Sequence, residues 1–301
     1  MKINITFLGT SSSIPTKTRN HMAILVNYKD ENILIDCGEG TQRQFRKKKI
    51  NPCKLTRLLI THFHGDHIFG LQGLFQTLAL NDYRKTLQIY GPIGTKDYIK
   101  KTFSTYINTK RINYEVHEVK GTFIKTNDFQ LTAIPLEHDC PTNGYKFEEL
   151  DKLRIDKSKL KKLKIDRKNP KLAKIAKGKD ITINKKTIKA KTLTYIQKGK
   201  TISFIFDTKL CNNTNKLAKD SDLAIIEGTF LEENSGIDLA KEYMHLTAKQ
   251  AAEIAKKSGV KKLIITHISQ RYEHKENLLL KEAKKVFPNT IIAEDFMEVE
   301  V

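Results

Sequence analysis

The chain has 301 residues, enough for one large domain or two smaller ones, and 39% of them are hydrophobic, which indicates a globular protein with a sizeable core. Its four cysteines lie far apart without paired spacing, which argues against a disulfide framework and against a zinc ribbon. The formal net charge of +20 favours a polyanionic partner such as nucleic acid, although a lysine-rich proteome or a host adapted to heat or salt would also explain it.

The first predicted elements are short strands. Apolar and polar residues alternate over Ile3–Leu8, and further strands are predicted over Met22–Tyr28 and Asn32–Asp36. The start of the chain lacks the continuous apolar core of a signal peptide, and no later run is long enough to span a bilayer. We therefore expect a cytoplasmic protein with no membrane partner.

A cluster of metal-type donors follows the next predicted strand, Leu58–Thr61. The donors fall within six positions and are His62, His64, Asp66 and His67. Residues two apart in an extended segment point the same way, so His62 and His64 can hold one ion. Asp66 and His67, beyond a flexible glycine, can turn toward a second ion. Imidazole and carboxylate donors without a thiolate suit catalytic zinc or manganese.

A helix is predicted directly after this cluster, because apolar residues from Ile68 and Phe69 to Leu78 recur at helical spacing. Further strands are predicted over Leu87–Tyr90, Tyr114–Val119 and Gln130–Pro135. The metal-type donors therefore lie in a strand-to-helix loop.

The composition changes abruptly near Asp151. Residues 151 to 180 carry thirteen Lys or Arg and four Asp, a net charge of +9, and residues 181 to 200 add six Lys and no acid. Apolar residues are thinly spread over 151 to 180, and Pro170 and Gly178 break the segment. We therefore predict a basic arm, residues 151–180, inserted into a single domain that spans residues 1–301.

The last third alternates strands and helices. Strands are predicted over Thr201–Phe206, Leu223–Ile226 and Leu263–Thr266. One helix begins with a capping box at Thr247, and a second covers Glu276–Phe287. Two halves of the chain, each made of strands followed by helices, would pack as an α/β fold, with a pair of sheets covered by helices on both outer sides.

Single polar donors also close three of the later strands. His138, Asp207 and His267 each follow an apolar run, where loops place functional groups on a rigid scaffold. Each alone could be a buried polar residue or a helix cap. Together with the earlier cluster they supply about the seven ligands that a binuclear hydrolase needs, one of them a bridging carboxylate.

These residues resemble the tRNase Z family of the metallo-β-lactamase superfamily, and the resemblance covers almost the whole chain. Beyond the metal cluster it rests on six motifs in order: Phe7-Leu8-Gly9-Thr10, the PxKxRN loop Pro15–Asn20, Ile35–Gln42, Glu227-Gly228-Thr229-Phe230, His245-Leu246-Thr247 and His267–Tyr272. Two features differ from the family pattern. Ile226 replaces the first residue of the family's His-Glu-Ala-Thr segment, and the arm lacks a glycine- and proline-rich tip.

The resemblance implies a four-layer αβ/βα metallo-β-lactamase sandwich with two zinc ions per subunit, manganese being a possible substitute. It implies that His62, His64 and His138 hold one ion, that Asp66, His67 and His267 hold the other, and that Asp207 bridges them. It also implies a homodimer in which the arm of one subunit holds the precursor tRNA cut by the other.

Other residues receive expected roles in catalysis and binding. Asp66 can orient or deprotonate the attacking water, and His245 is the candidate proton donor to the leaving oxygen, held by Glu227. His245 could instead merely flank the helix that starts at Thr247. Lys17, Arg19 and Asn20 are candidates for gripping the acceptor end of the RNA, although an ordinary polar turn would look similar.

The expected function is a zinc-dependent endoribonuclease that removes the 3′ trailer from precursor tRNA and leaves a 3′-hydroxyl on the tRNA and a 5′-phosphate on the trailer. The alternative is a small-molecule metallohydrolase of the same fold, a thioesterase or phosphodiesterase, which would not need the basic arm. A noncatalytic RNA-binding protein is a third hypothesis, and the full set of metal-type donors argues against it.

Overall fold

A computed structural model describes residues 2–105, 112–183, 186–233 and 235–301. The chain divides into two compact units. The main unit comprises Met1–Lys125, Leu131–Phe147 and Thr201–Val301. The basic unit comprises Thr126–Gln130 and Glu148–Lys200, in which residues 148 to 200 hold nineteen Lys or Arg and six acidic residues.

The strands, in chain order, are β1 (Asn4–Gly9), β2 (Ala23–Tyr28), β3 (Glu31–Ile35), β4 (Arg57–Leu59), β5 (Thr86–Gly91), β6 (Asn113–Glu118), β7 (Gly121–Lys125), β8 (Phe129–Leu136), β9 (Thr142–Glu149), β10 (Lys152–Ile155), β11 (Ile181–Ile183), β12 (Lys186–Ile188), β13 (Thr194–Gln197), β14 (Thr201–Ile205), β15 (Leu223–Glu227), β16 (Leu263–Thr266), β17 (Thr290–Ile292) and β18 (Glu298–Glu300).

The helices are α1 (Thr41–Lys47), α2 (Gly65–Ile68), α3 (Leu71–Leu80), α4 (Thr95–Ser104), α5 (Lys157–Lys162), α6 (Leu172–Ile175), α7 (Ala190–Leu193), α8 (Asn212–Ala218), α9 (Gly236–Glu242), α10 (Ala248–Lys257) and α11 (Glu276–Val286), with short 3-10 helices at Pro52–Lys54 and Gln270–Tyr272.

Two seven-stranded sheets form the framework of the main unit, with the orders β18-β1-β2-β3-β4-β5-β6 and β17-β16-β15-β14-β9-β8-β7. Strands β3 to β6 are parallel, and β14 to β17 are parallel. Ile35 pairs with Leu59, and Ile226 pairs with Ile265. The chain therefore leaves neighbouring strands at one edge of each sheet, the edge at which α/β folds place functional groups.

Alternation along the strands separates the two faces of each sheet. On β2, Ala23 and Leu25 join a buried cluster that includes helix residues of α1 and α3. From the opposite face, Tyr28 meets Phe147 of the second sheet with ring centroids 5.3 Å apart. Helices α8, α10 and α11 share a second cluster with β14, β15 and β16. The main unit is therefore an α/β sandwich of two mixed sheets flanked by helices, as predicted from the sequence.

The elements predicted for the main unit, apart from the helix after the metal motif, match the observed boundaries within two residues. No counterpart was predicted for β7, β9, β17, β18, α1, α4, α8 and α9. Thr247 caps α10 with the predicted capping box. The helix ends before Gly259, which has a left-handed backbone (φ +68°). The helix predicted after the metal motif was wrong as a continuous element. It is split into α2 and α3 around Phe69 and Gly70, and the Phe69 ring is 64% exposed instead of buried.

The basic unit holds two antiparallel strand pairs, β10 with β13 and β11 with β12. Its helix α5 is capped by Asp156, whose carboxylate accepts from the backbone nitrogens of Ser158 and Lys159. Six of its apolar residues form a small buried cluster: Leu160, Leu172, Ile175, Ile181, Ala190 and Leu193. The arm predicted at residues 151–180 is thus part of a longer segment that has a core of its own.

Among the described residues, no helix combines the length and the apolar character needed to cross a bilayer.

Candidate binuclear metal centre

The candidate centre is built from loops that follow strands of both sheets. The loop after β4 carries His62 and His64, and α2, which follows directly, carries Asp66 and His67. The loop after β8 carries His138, and the loops after β14 and β16 carry Asp207 and His267. The backbone of Gly38 packs closely against α2, since a Cβ on Gly38 would clash with the carbonyl oxygen of Asp66. The structure brings all seven predicted ligands together.

One group of donors consists of His62, His64, His138 and Asp207, whose ligand atoms all lie within 4.8 Å of one another. Asp207 Oδ2 is 3.4 Å from His62 Nε2 and 4.0 Å from His138 Nε2. His64 Nδ1 is 3.2 Å from His138 Nε2. Three ring nitrogens and a carboxylate oxygen thus converge on one point.

The second group consists of Asp66, His67, Asp207 and His267, again within 4.8 Å. Asp207 Oδ1 is 3.3 Å from both His67 Nε2 and His267 Nε2. Asp66 Oδ2 is 3.2 Å from His267 Nε2. One oxygen of Asp207 therefore faces each group, which is the geometry of a bridging carboxylate.

Buried polar partners fix the ring of His67. Asp36, which follows β3, places Oδ2 at 2.7 Å from His67 Nδ1 and accepts from the backbone nitrogen and the hydroxyl of Thr61. Asp36, Asp207 and His267 all have left-handed backbone, with φ of 57°, 32° and 59°. This conformation is uncommon for non-glycine residues, although Asp and His adopt it more readily than most.

The chemistry of these residues fits a cation. His62 Nε2 and Asp207 Oδ1 are buried without a hydrogen-bond partner among the described residues, as expected of atoms reserved for a metal. Burial and the neighbouring charge of His67 lower the pKa of His62 to about 4, so its ring is neutral at neutral pH, the form that binds metal.

The pKa of His67 is shifted in the opposite direction. Burial favours its neutral form, but the carboxylates of Asp207, Asp66 and Asp36 outweigh burial and raise its pKa well above the usual range. Three carboxylates around one buried ring call for positive charge at this position. A divalent cation supplies that charge without a proton.

A second polar network adjoins the metal groups. Glu227, buried at the end of β15, places Oε1 3.1 Å from His245 Nδ1 and accepts from the Thr208 backbone nitrogen. The Thr229 hydroxyl donates to Glu227 Oε2 and lies 2.9 Å from His267 Nδ1. The carboxylate retained after Ile226 therefore touches the candidate proton donor and, through Thr229, a candidate metal ligand.

The three residues predicted to bind the acceptor end occupy different environments. Lys17 is exposed. Arg19 is buried: Nη1 donates to the Thr10 hydroxyl and the Ala293 carbonyl, and Nε donates to Glu276. Asn20 donates from its side chain to the Glu39 carbonyl. Lys17 is thus the exposed residue of the three, Asn20 is half-buried and Arg19 is buried.

Two residues of the centre had no role assigned from sequence. Thr229 belongs to the motif Glu227-Gly228-Thr229-Phe230, but nothing in that motif indicates its contact with His267. Asp139 follows His138 directly and places Oδ1 3.2 Å from His64 Nε2. Its position next to a ligand was the only signal in the sequence.

Known proteins resemble this chain over almost its whole length. The family model "Anti-Pycsar protein Apyc1" matches residues 3–143, and "Beta-lactamase superfamily domain" matches residues 172–268. Ribonuclease Z of Methanosarcina mazei is 37% identical over 99% of this chain and 98% of the relative, and Ribonuclease Z of Methanothermobacter thermautotrophicus is 38% identical over 99% and 97%. The crystal structure of the short form of human tRNase Z superposes with a TM-score of 0.68 at 27% identity, covering 98% of each chain.

Proposed function

This chain belongs to the ribonuclease Z family of metal-dependent endoribonucleases, and on that premise we propose that it uses two zinc ions to remove the 3′ trailer from precursor tRNA. The products would be tRNA with a 3′-hydroxyl and a trailer with a 5′-phosphate. The observation that carries the proposal is the convergence of seven buried or half-buried donors on two adjacent points, with one oxygen of Asp207 facing each.

In this proposal His62, His64 and His138 hold one ion, and Asp66, His67 and His267 hold the other. Asp207 serves both. When bound, the ions supply Lewis acidity, which activates water and neutralises charge on the phosphate. Manganese would suit the same oxygen and nitrogen donors.

Asp66 has the further task of orienting the attacking water. Burial opposes ionisation of this carboxyl group, but the charge of His67 and a hydrogen bond from His267 hold its pKa below the usual range. It is therefore an acceptor at neutral pH. A carboxylate in this position can align a water for in-line attack on the phosphorus.

His245 is the proposed proton donor. Because Nδ1 is engaged by Glu227, Nε2 is the ring atom left to deliver a proton to the departing 3′-oxygen of the tRNA. Glu227 holds the ring in place and stabilises its charged form. The Thr229 contact joins this pair to His267, which supports a role in the reaction over a purely helix-flanking one.

The RNA-binding surface is proposed in two parts. Exposed Lys17 would contact the phosphates near the cleavage site, while Asn20 and the buried Arg19 would act by fixing the loop that carries it. The basic unit would bind the body of the tRNA through its lysines, because phosphate neutralisation supplies most sequence-independent affinity. A homodimer and a cytoplasmic location stay predictions.

The test is cleavage of an end-labelled precursor tRNA by the purified protein, with and without a chelator and after restoring zinc or manganese. Product ends are identified by their reactivity with phosphatase and ligase. Cleavage that survives complete metal removal, or a 3′-phosphate on the tRNA, would overturn the proposal. A small phosphodiester in parallel assays addresses the small-molecule alternative, which the Ribonuclease Z relatives do not favour.

A further inference from the structure

His64 has a different partner on each of its ring nitrogens. Nδ1 lies 3.2 Å from His138 Nε2, on the side where the first group of donors converges. Nε2 lies 3.2 Å from Oδ1 of Asp139, a carboxylate that is 58% exposed and whose Oδ1 also lies 3.3 Å from His138 Nε2. Since both Nδ1 of His64 and Nε2 of His138 face one point, the proton of the neutral His64 ring belongs on Nε2, opposite Asp139.

We infer that Asp139 is a positioning residue that accepts the Nε2–H of His64 and thereby keeps Nδ1 unprotonated and aimed at the metal. Carboxylates in such a position orient a histidine ring and increase the basicity of its ligating nitrogen. This inference rests on the proposed metal-dependent function and adds to it an eighth residue, one that follows a ligand directly in the chain.

The other four candidate histidine ligands support this role, because each has a polar atom at its second nitrogen. These atoms are Thr61 Oγ1 at 3.0 Å from His62, Asp36 Oδ2 at 2.7 Å from His67, Met244 O at 3.2 Å from His138 and Thr229 Oγ1 at 2.9 Å from His267. Asp139 completes the set for His64. Among the described residues, Asp139 is the polar partner recorded at Nε2 of His64.

The two carboxylates that orient histidine rings, Asp36 and Asp139, differ in exposure. Asp36 and His67 have fully buried side chains, whereas the side chains of Asp139 and His64 are 58% and 39% exposed. Water competes with an exposed hydrogen bond far more than with a buried one. An ion held by His62, His64 and His138 would therefore exchange more readily than the other, with an affinity that depends on Asp139.

The experiment measures zinc binding without RNA, by titrating metal-free protein against a competing chromophoric chelator. Asp139→Asn keeps the size of the side chain and removes its charge. Glu137→Gln is the matched control, since Glu137 is an exposed carboxylate one residue to the other side of His138 and pairs with Lys209. Urea unfolding of the metal-free proteins is measured in parallel.

We expect Asp139→Asn to weaken one of two zinc equivalents by about 10-fold, the lower end of the range for residues that orient a ligand, and to leave the other unchanged. Glu137→Gln should bind both as the unaltered protein does. Unfolding of metal-free Asp139→Asn should not change, which a merely structural role would not predict.

Three outcomes would overturn the inference. Equal affinity of Asp139→Asn and the unaltered protein for both equivalents would remove Asp139 from the centre and leave the proposed function intact. Complete loss of one equivalent would make Asp139 a metal ligand and not a positioning residue. Absence of zinc binding by the unaltered protein would overturn the proposed function and the inference with it.

Discussion

Glu227 Oε1 lies 3.1 Å from His245 Nδ1, and both side chains are almost fully buried. Burial alone would lower the pKa of His245, but the charge of Glu227 and its hydrogen bond raise the pKa to about 9. The ring therefore carries a proton at neutral pH, as a proton donor to a leaving group must.

Replacing His245 should slow cleavage without emptying the metal centre. We expect His245→Ala to lower the single-turnover rate by about 10²–10⁴-fold, with little change in RNA binding or metal content, because a general acid acts mainly in the transition state. Glu227→Gln should be milder. Sulfur in place of the 3′-bridging oxygen leaves without protonation, so this substrate should selectively rescue His245→Ala.

His117→Ala is the matched control, since His117 contacts Gln88 on β5, outside the groups of candidate metal-binding residues. A normal rate for His245→Ala on the natural substrate, or loss of its metals, would assign His245 to the helix flank or to the metal centre itself.

Asp207 should be required for both ions. Because one carboxylate faces both groups of donors, we expect Asp207→Ala to remove activity and to deplete both metals, as measured by elemental analysis of the purified protein. Asp238→Ala, at an exposed position on α9, should keep both. Two equivalents of metal retained by Asp207→Ala would show that Asp207 is not the bridge.

The lysines of the basic unit should control the salt dependence of RNA binding. Lys161, Lys162 and Lys164 are exposed, and each phosphate contact contributes about 0.9 to the slope of log K against log salt concentration. Their simultaneous replacement by Ala should weaken precursor tRNA binding and lower that slope by up to about 3. Hydrolysis of a small phosphodiester should be unaffected.

The control for this variant is a triple Ala replacement at Lys256, Lys257 and Lys284, which are equally exposed but lie in the main unit. Identical salt slopes for the two triple variants would show that the basic unit contributes only to the overall charge.

Lys17 and Arg19 should separate into a binding role and a structural role. Arg19→Ala leaves the Ala293 carbonyl and Glu276 without their buried donor and should destabilise the fold by about 2 kcal/mol in urea unfolding. Lys17→Ala should leave stability unchanged and reduce RNA affinity. A stable Arg19→Ala protein with impaired binding would instead place the guanidinium on the RNA.

Asp295 should make stability depend on pH. Burial raises the pKa of Asp295 to about 6, against the opposing hydrogen bonds from Asn20 and Thr10. The folded state therefore binds this proton more tightly than the unfolded state, so stability is highest below about pH 4 for this group and falls as pH rises to about 6, by roughly 3 kcal/mol in total. Other groups titrate in the same range, so the contribution of Asp295 is obtained from the difference in unfolding free energy between Asp295→Asn and the unaltered protein.

Asp295→Asn should remove this part of the pH dependence, because its amide stays neutral and its nitrogen can donate to the Thr10 hydroxyl. Urea unfolding from pH 4 to pH 7.5 measures it, with Glu294→Gln as the neighbouring control. Parallel curves for Asp295→Asn and the unaltered protein would show that Asp295 ionises normally in the fold.

The strands and the metal donors could be predicted because their signals are local. A buried strand such as Leu263–Thr266 is an apolar run, and the donor that follows it is the next residue, His267. The sequence order of such runs also indicates a parallel sheet whose ends share an edge. Prediction of the ligand set therefore needed only short patterns together with the family resemblance.

The features that could not be predicted depend on contacts between distant residues. The PxKxRN loop has the composition of an exposed basic turn, yet Arg19 turns inward to a carbonyl 274 residues away. Phe69 belongs to an apolar series at helical spacing but lies where α2 ends, so its ring is left outside. In the basic unit, the buried residues are too widely spaced among lysines to reveal a core.

The left-handed backbone at Asp36, Asp207 and His267 sets stability against function at the same three positions. Glycine adopts these angles without the steric contact between Cβ and the backbone that a side chain brings, so selection for heat resistance alone would favour glycine there and remove the metal-type donors. Engineering of a thermostable variant should therefore spare these residues. It can begin at Lys49, which has φ of 59° outside the centre, where a glycine would relax the chain and leave catalysis intact.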